Sequence, residues 1–286
     1  MATVSECDPG ALLARAGPWL EREPVLHNVI CTVLMRAVED PAPFRNARWF
    51  VVDEAGDPVG VAIMTPPFPL TLTPMAAGPL RALVDAVVGW LPDLPGVSGS
   101  GDVAQRFAEL WAERTGTSVE PGMGQLMYQL DAVVPPTAAA GKLRLAATAD
   151  RELLCNWFDA FTREVGGPSG DIAATVDHRL AHGGLYLWED AAVVTVAGFT
   201  PAVAGVVRVG PVYTPRELRR RGYATSCVAA VSQRALDAGA KACMLYTDQA
   251  NPTSNAIYQR IGYRRVASAT EYRFRPGAGS ERGSGC

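Results

Sequence analysis

An arginine-rich turn in this chain has the residue types that bind a pyrophosphate group. It runs from Arg219 to Ala224 with the sequence RRRGYA. Gly222 lets the backbone approach an anion closely, small Ala224 avoids crowding it, and the arginines add positive charge. Where a helix begins directly after such a turn, its free N–H groups also point at the anion. A solvated basic turn is the alternative for this stretch taken alone.

The residues on either side of the turn predict the elements that would position it. Gly205 to Thr214 has the β-branched content of a buried strand. Thr225 to Gly239 carries apolar residues at helical spacing and ends on a glycine. Ala242 to Thr247 predicts another strand, and the helix from Asn251 to Arg260 begins with an asparagine cap followed by proline.

Within that last helix, Asn255 and Tyr258 lie three residues apart and therefore close to one face. Together with the basic turn, this helix resembles the acyl-coenzyme A binding half of the GNAT superfamily of N-acetyltransferases. The matching residues are Arg219, Gly222 and Ala224 in the family's Q/R-x-x-G-x-G/A pattern, and Asn255, Tyr258, Gly262 and Tyr263 in its N-x-x-(Y)-x-x-x-G-(F/Y) helix. The resemblance is specific from Lys142 to Phe274 and much weaker before that.

The resemblance implies acetyl-coenzyme A as the co-substrate and no metal ion. In GNAT proteins the strand before the turn splays from the next strand, and pantetheine fills the gap. Here this implies that the Val212 N–H faces the acetyl oxygen, and Pro211, which lacks an N–H, should interrupt pairing and favour the splay. The implied coenzyme A contacts are Val212, Tyr213, Thr214, Arg219, Arg220, Arg221, Gly222, Tyr223, Ala224, Thr225, Asn251, Asn255 and Tyr258.

Tyr258 corresponds to the family's tyrosine beside the coenzyme A sulfur. The resemblance therefore implies that Tyr258 is the general acid that protonates the leaving thiolate. Asn255, one turn earlier, would bond the pantetheine amide. The alternatives are aromatic packing against the sheet for Tyr258 and a solvated helix position for Asn255.

The sequence leaves the general base open. Many GNAT relatives carry a glutamate on the strand before the turn, whereas here Arg208 is the only charged residue of that strand. The candidates are Glu164, Asp248 and Glu271, each of which could also be an ordinary surface or salt-bridged carboxylate. Glu164 is the first choice, because the glycine turn at 166–167 after it should line the acceptor cleft. Water or a weakly basic amine could also dispense with a dedicated base.

These features predict an acetyl-coenzyme A-dependent N-acetyltransferase that moves an acetyl group to a primary amine by direct transfer through a ternary complex. We expect a small-molecule acceptor, by analogy with duplicated relatives that close the acceptor cleft with their first half. A non-catalytic acyl-coenzyme A sensor is an alternative, because the chain shows no evident base. Contact of Arg216 to Arg221 with nucleic acid is another, against which the pI near 5.7 argues.

The predicted fold class is α/β (α+β), with two tandem GNAT-like folds. Each is a mixed, mostly antiparallel twisted sheet flanked by helices. The proline-containing stretch 131–141 is the predicted linker, and 142–275 is the predicted catalytic domain, closed by strands at 263–267 and 270–274. Residues 1–130 repeat the order of elements without either motif, which indicates a degenerate GNAT-like domain or an unrelated α/β domain. The tail 276–286 is predicted to be disordered.

Composition argues against several classes of function. The net charge of −3 disfavours general nucleic-acid affinity. No apolar run reaches the roughly 18 residues of a membrane span, and the start lacks signal-peptide character, which predicts a cytoplasmic protein without membrane partners. The six cysteines show no metal-ligand spacing and indicate reduced thiols. His27, His178 and His182 indicate surface or hydrogen-bonded histidines, and the sequence says nothing about oligomeric state.

Overall fold

The protein is described here from a computed structural model, which covers residues 1–166, 168 and 170–275. The predicted role of Gly167 in lining a cleft and the predicted disorder of 276–286 lie outside the described residues. Within these ranges, no helix combines the length and the apolar character that crossing a membrane requires.

Helices and strands alternate along the described chain. In chain order they are β1 (Ala2–Cys7), α1 (Pro9–Leu20), α2 (Asn28–Glu39), β2 (Arg48–Glu54), β3 (Asp57–Met64), β4 (Leu70–Leu72), α3 (Ala77–Trp90), β5 (Gly96–Ser100), α4 (Val103–Thr115), β6 (Ser118–Leu130), β7 (Lys142–Leu145), α5 (Arg151–Val165), α6 (Ile172–Ala181), β8 (Leu185–Asp190), β9 (Ala192–Phe199), β10 (Val206–Tyr213), α7 (Tyr223–Asp237), β11 (Ala242–Asp248), α8 (Pro252–Arg260) and β12 (Arg264–Arg275).

The chain folds as two compact units. Among the described residues, the first comprises Met1–Leu126 and 267–275, and the second comprises Met127–Val266. The stretch 131–141, predicted as a linker, therefore belongs to the second unit. Two hydrogen bonds hold it there, from Ala139 N to Ser226 Oγ at 2.8 Å and from Trp188 Nε1 to Ala140 O at 2.8 Å.

The first unit has a mixed, mostly antiparallel sheet, as predicted. Strands β1 to β4 pair antiparallel in sequence order, and β4 pairs with β5 in parallel. The helices α3 and α4 supply much of its core. In that core Trp111 stacks between Phe107 and Phe274, with ring centroids 6.0 Å and 5.5 Å away.

Strand β12 differs from its prediction in two ways. It is one continuous strand, where the sequence predicts strands at 263–267 and 270–274, because nothing at Ser268 or Ala269 breaks the extended backbone. Its residues Ala269–Arg273 pair antiparallel with Gly96–Ser100 of β5. They therefore complete the sheet of the first unit, although the sequence assigned them to the domain 142–275. Strand periodicity identifies a strand without identifying its partner.

The second unit has a similar sheet with helices on both faces. Strands β7 to β10 pair antiparallel in sequence order, and β10 pairs with β11 in parallel. On one face, Phe158 of α5 packs in a cluster with Leu187 and Val196, beside residues of α6. On the other face lies α7, where Cys243 Sγ contacts Ser232 O at 3.6 Å.

Candidate functional site

Strands β10 and β11 separate part-way along their length. They pair only from Val206 to Arg208, although β10 continues to Tyr213 and β11 to Asp248. On its other side, β10 shifts register against β9 between Val209 and Val212. The separation therefore opens where the sequence predicts it, around the stretch that contains Pro211. We call the space between the diverging ends of β10 and β11 the wedge.

The basic turn joins the end of β10 to the start of α7. Arg220 and Gly222 have positive φ angles of 64° and 83°. The helical hydrogen bonds begin with Ser226 N donating to Gly222 O at 3.0 Å. No hydrogen bond in the described part of the chain takes the N–H groups of residues 222–225. The turn therefore presents consecutive free N–H donors at a helix N-terminus, the arrangement that binds anions.

Two distant segments fix this turn. The Tyr223 hydroxyl donates to Oδ2 of Asp190, the last residue of β8, at 2.5 Å. A Cβ atom on Gly222 would lie 3.5 Å from Ala139 Cβ, so the stretch 131–141 runs against the turn. Neither Asp190 nor Ala139 carries a local sequence signal, because both contacts join residues far apart in the chain.

Arg219 of this turn and Arg216, three residues before it, bind one carboxylate at the end of α5. Arg219 Nη2 lies 2.7 Å from Glu164 Oε2, and Arg216 Nε lies 3.1 Å from Glu164 Oε1. Arg219 is further fixed by Nε donating to Thr214 O at 2.8 Å and by stacking over the Tyr213 ring. Burial raises the pKa of Glu164, but hydrogen bonds from the two arginines outweigh it and lower that pKa below its usual value. A carboxylate held in this way is a weak proton acceptor.

The remaining arginines of the turn reach solvent. Arg220 and Arg221 are exposed, and Arg221 Nη2 donates to the backbone carbonyl of Glu217 at 3.3 Å. Neither forms an ion pair with a residue in the described ranges. Both are therefore available to an anion bound at the turn.

Helix α8 carries Asn255 and Tyr258, and Asn255 contacts the last residue of β11. Asn255 Nδ2 donates to Asp248 O at 3.3 Å, while its Oδ1 is buried with no hydrogen-bond partner in the described chain. Tyr258 is buried and packs edge-on against Tyr263, with ring centroids 6.0 Å apart. Burial raises the pKa of Tyr258 to about 12. Asn251 Oδ1 accepts from Ser254 N at 3.1 Å and caps the helix, which leaves its Nδ2 and its backbone for a ligand.

The three carboxylates predicted as general bases are otherwise engaged. Glu164 is paired with arginines, as described above. Asp248 Oδ1 accepts from Ala250 N at 2.8 Å and closes the turn before α8. Glu271 belongs to the first unit, where Arg273 Nε donates to it at 2.9 Å.

The first unit lacks the features of this site. Strand β4 stays paired with β5 over its whole length. Helix α3 begins after Ala76, whose φ of −68° is ordinary, and the preceding residues 73–76 include neither glycine nor arginine. Met75 of this connection is buried in the core. The strand edges there are closed, and the one cation of the described chain seen against this connection, Arg106, is engaged by Met75 O at 3.0 Å and by Asp102 at 3.3 Å.

Several solved structures resemble this chain, and one protein-family model matches part of it. Residues 201–274 match the family described as FR47-like protein. A GNAT-family acetyltransferase from Colwellia psychrerythraea superposes with a TM-score of 0.61 at 12% identity, covering 96% of this chain and 100% of its own. A Drosophila protein gives a TM-score of 0.66 at 13% identity, covering 97% and 100%. A tandem GNAT protein from the clavulanic acid biosynthesis pathway gives 0.57 at 13% identity, covering 95% and 98%. A search of curated proteins by sequence gave no significant match.

Proposed function

The chain has the tandem GNAT fold, and from this premise we propose that its second unit transfers an acetyl group from acetyl-coenzyme A to a primary amine. The observation that carries the proposal is the coincidence of three features in one unit. They are the wedge between β10 and β11, the free N–H groups of residues 222–225, and helix α8, which carries Tyr258 and whose Asn255 contacts the end of β11.

The residues present fit acetyl-coenzyme A. The free N–H groups and exposed Arg220 and Arg221 suit its diphosphate. The unpaired edges of β10, including Val212, suit the amides of an extended pantetheine. The orphaned Asn255 Oδ1 is a buried acceptor that a pantetheine N–H would satisfy, and leaving such an atom unsatisfied costs on the order of 1–3 kcal/mol.

Tyr258 supplies the proton in this proposal. Acetyl-coenzyme A brings an activated thioester carbonyl and a sulfur leaving group, and the Tyr258 hydroxyl holds the proton that this sulfur needs. Because burial raises the pKa of Tyr258 to about 12, the phenol stays protonated across the physiological range. The three candidate carboxylates are each engaged elsewhere, so the amine is expected to lose its proton to water before attack.

This assignment predicts the pH dependence of the rate. Between pH 7 and pH 10, kcat/KM should rise with the deprotonated fraction of the acceptor amine and should not fall at the alkaline end. The sign follows from the proton donor: a raised pKa keeps Tyr258 protonated up to about pH 12, so its proton is not lost in this window. Initial rates with acceptors of different amine pKa test this. A descending limb below pH 10 would remove Tyr258 as the acid.

Glu164 is expected to compete with the diphosphate for Arg219 and Arg216. Glu164→Gln should therefore tighten acetyl-coenzyme A binding about three- to tenfold, since each partly exposed ion pair is worth roughly 0.2–1 kcal/mol. Isothermal titration calorimetry measures the change in Kd. Glu217→Gln is the matched control, because it removes a negative charge from the same turn without freeing Arg219. Weaker binding by Glu164→Gln would show that Glu164 instead orients the arginines.

The first part of the proposal, binding of acetyl-coenzyme A, can be tested without any transfer of the acetyl group. Acetyl-coenzyme A should bind with one site per chain, because among the described residues only the second unit combines a wedge with a glycine- and arginine-containing turn at a helix N-terminus. Two equivalent sites would contradict the account of the first unit. No binding at millimolar ligand would contradict the proposed function. Binding without transfer to any amine would favour the alternative, a non-catalytic acyl-coenzyme A sensor.

A further inference from the structure

Arg208 is a cation at the closed end of the wedge whose side chain pairs with no residue in the described ranges. It occupies the last position at which β10 still pairs with β11, opposite Met244. Its backbone is fixed from the other side, where Thr200 Oγ1 accepts from Arg208 N at 3.1 Å and Thr200 N donates to Arg208 O at 3.0 Å. The side chain is half-buried, and among the described residues no ion pair, hydrogen bond or ring stacking to its guanidinium is seen, although Tyr246 lies close enough to interact with its charge.

The pleat of the sheet decides which way Arg208 points. Val207 pairs with Cys243, whose sulfur contacts α7, so these two residues face α7. Side chains alternate along a strand, and Arg208 therefore lies on the opposite face, the one that carries α5 and α6. Tyr246, two residues beyond Met244 on β11, lies on the same face. Arg208 is thus on the face of the wedge opposite α7 and its anion-binding N-terminus.

The groups around Arg208 do not balance its charge. Tyr246 is neutral at physiological pH, because burial raises its pKa to about 12. Asp248 shares this face but lies four residues beyond Met244, about 13 Å along the strand. On the same strand, Arg179 Nη1 of α6 donates to Gly210 O at 2.5 Å.

Burying a guanidinium partly without a partner lowers the free energy of unfolding. A carboxylate is the group that the planar guanidinium donors match best. We propose that Arg208 binds a carboxylate on the acceptor amine, so that the substrate class is amino acids. The inference rests on the proposed function and makes it more specific. Arg208 and Val212 are four residues apart on β10, which is about 13 Å along the strand. The long Arg208 side chain can extend over part of that distance. Carboxylate and amine are therefore a few bonds apart, as in α-, β- or γ-amino acids.

The test compares carboxylates with neutral isosteres by calorimetry, which needs no turnover. L-Phenylalanine, L-leucine, β-alanine and γ-aminobutyrate are each titrated against their carboxamides, into the protein loaded with coenzyme A and into the protein alone. At least one carboxylate should bind tenfold or more tightly than its amide. Arg208→Gln should abolish that preference, while Arg208→Lys should retain part of it, because a lysine keeps the charge and loses the bidentate geometry. Arg265→Gln, at an exposed position of the same unit, should leave the preference unchanged.

The outcomes separate this inference from the proposed function. Arg208→Gln should bind acetyl-coenzyme A within threefold of wild type, which also shows that the variant is folded. Normal coenzyme A binding with no preference for any carboxylate, or with a preference that survives Arg208→Gln, would overturn the inference and leave the acetyltransferase proposal standing. Tighter binding of O-phosphoethanolamine than of every carboxylate would overturn the assignment to amino acids. Failure of acetyl-coenzyme A itself to bind would count against the proposed function instead.

Discussion

Gly222→Asp is expected to weaken acetyl-coenzyme A binding at least 100-fold, which corresponds to about 2.7 kcal/mol. Gly222 has a φ of 83°, a conformation that costs a residue with a side chain roughly 1–2 kcal/mol. If aspartate keeps this conformation, it places a negative charge among the free N–H groups that should receive the diphosphate. If it leaves this conformation, those N–H groups move. Titration calorimetry with acetyl-coenzyme A measures the loss.

The matched control for this variant lies at the other end of the same helix. Gly239 also has a positive φ, 97°, and a Cβ there would meet no atom within 4 Å. Gly239→Asp should therefore lower the melting temperature by an amount similar to Gly222→Asp while leaving the Kd for acetyl-coenzyme A within twofold of wild type. Equal loss of binding in both variants would mean that Gly222 acts through stability alone.

Tyr258→Phe is expected to lower kcat about 100-fold, at the lower end of the range for a lost general acid. The substitution removes only the hydroxyl, so the packing of the ring against Tyr263 and the Kd for acetyl-coenzyme A should change little. The rate is measured as release of coenzyme A thiol with a saturating amine. A variant that retains more than a third of the wild-type kcat would show that the hydroxyl transfers no proton in the limiting step.

Tyr263→Phe is the control for this second variant. Tyr263 shares a buried hydrogen bond of 2.8 Å with Ser232, and its ring lies next to that of Tyr258. Losing that bond should destabilise the fold by about 1 kcal/mol and leave kcat within threefold of wild type. A lower melting temperature in Tyr263→Phe together with a lower kcat in Tyr258→Phe would distinguish a packing role from proton transfer.

Local sequence signals account for much of the second unit. Gly222, Asn251 and Pro252 fix helix ends through backbone conformation and capping, which depend on neighbouring residues only. The interruption of β10 around Pro211 follows from a missing N–H in the same way. These features could be predicted because their causes lie within a few residues of their effects.

Contacts between distant residues could not be predicted in this way. The pairing of Glu164 with Arg219 joins the end of α5 to a turn after β10, and the carboxylate that the sequence favours as a base proves to be ion-paired. The pairing of β12 with β5 depends on which strand edge is open, which periodicity does not encode. Arg208 could be identified as unusual from its strand position, but the absence of a partner is evident only in three dimensions.

The measurement that tests the central claim most directly is mass-spectrometric detection of an acetylated amine. The protein is incubated with acetyl-coenzyme A carrying a ¹³C-labelled acetyl group and a panel of amino acids, their carboxamides, polyamines, aminoglycosides and peptide N-termini. The account predicts a labelled N-acetyl product from at least one amine class, with equimolar coenzyme A, and its loss in Gly222→Asp and Tyr258→Phe. Binding of acetyl-coenzyme A without a labelled product from any member of the panel would contradict the assignment of the protein as an acetyltransferase.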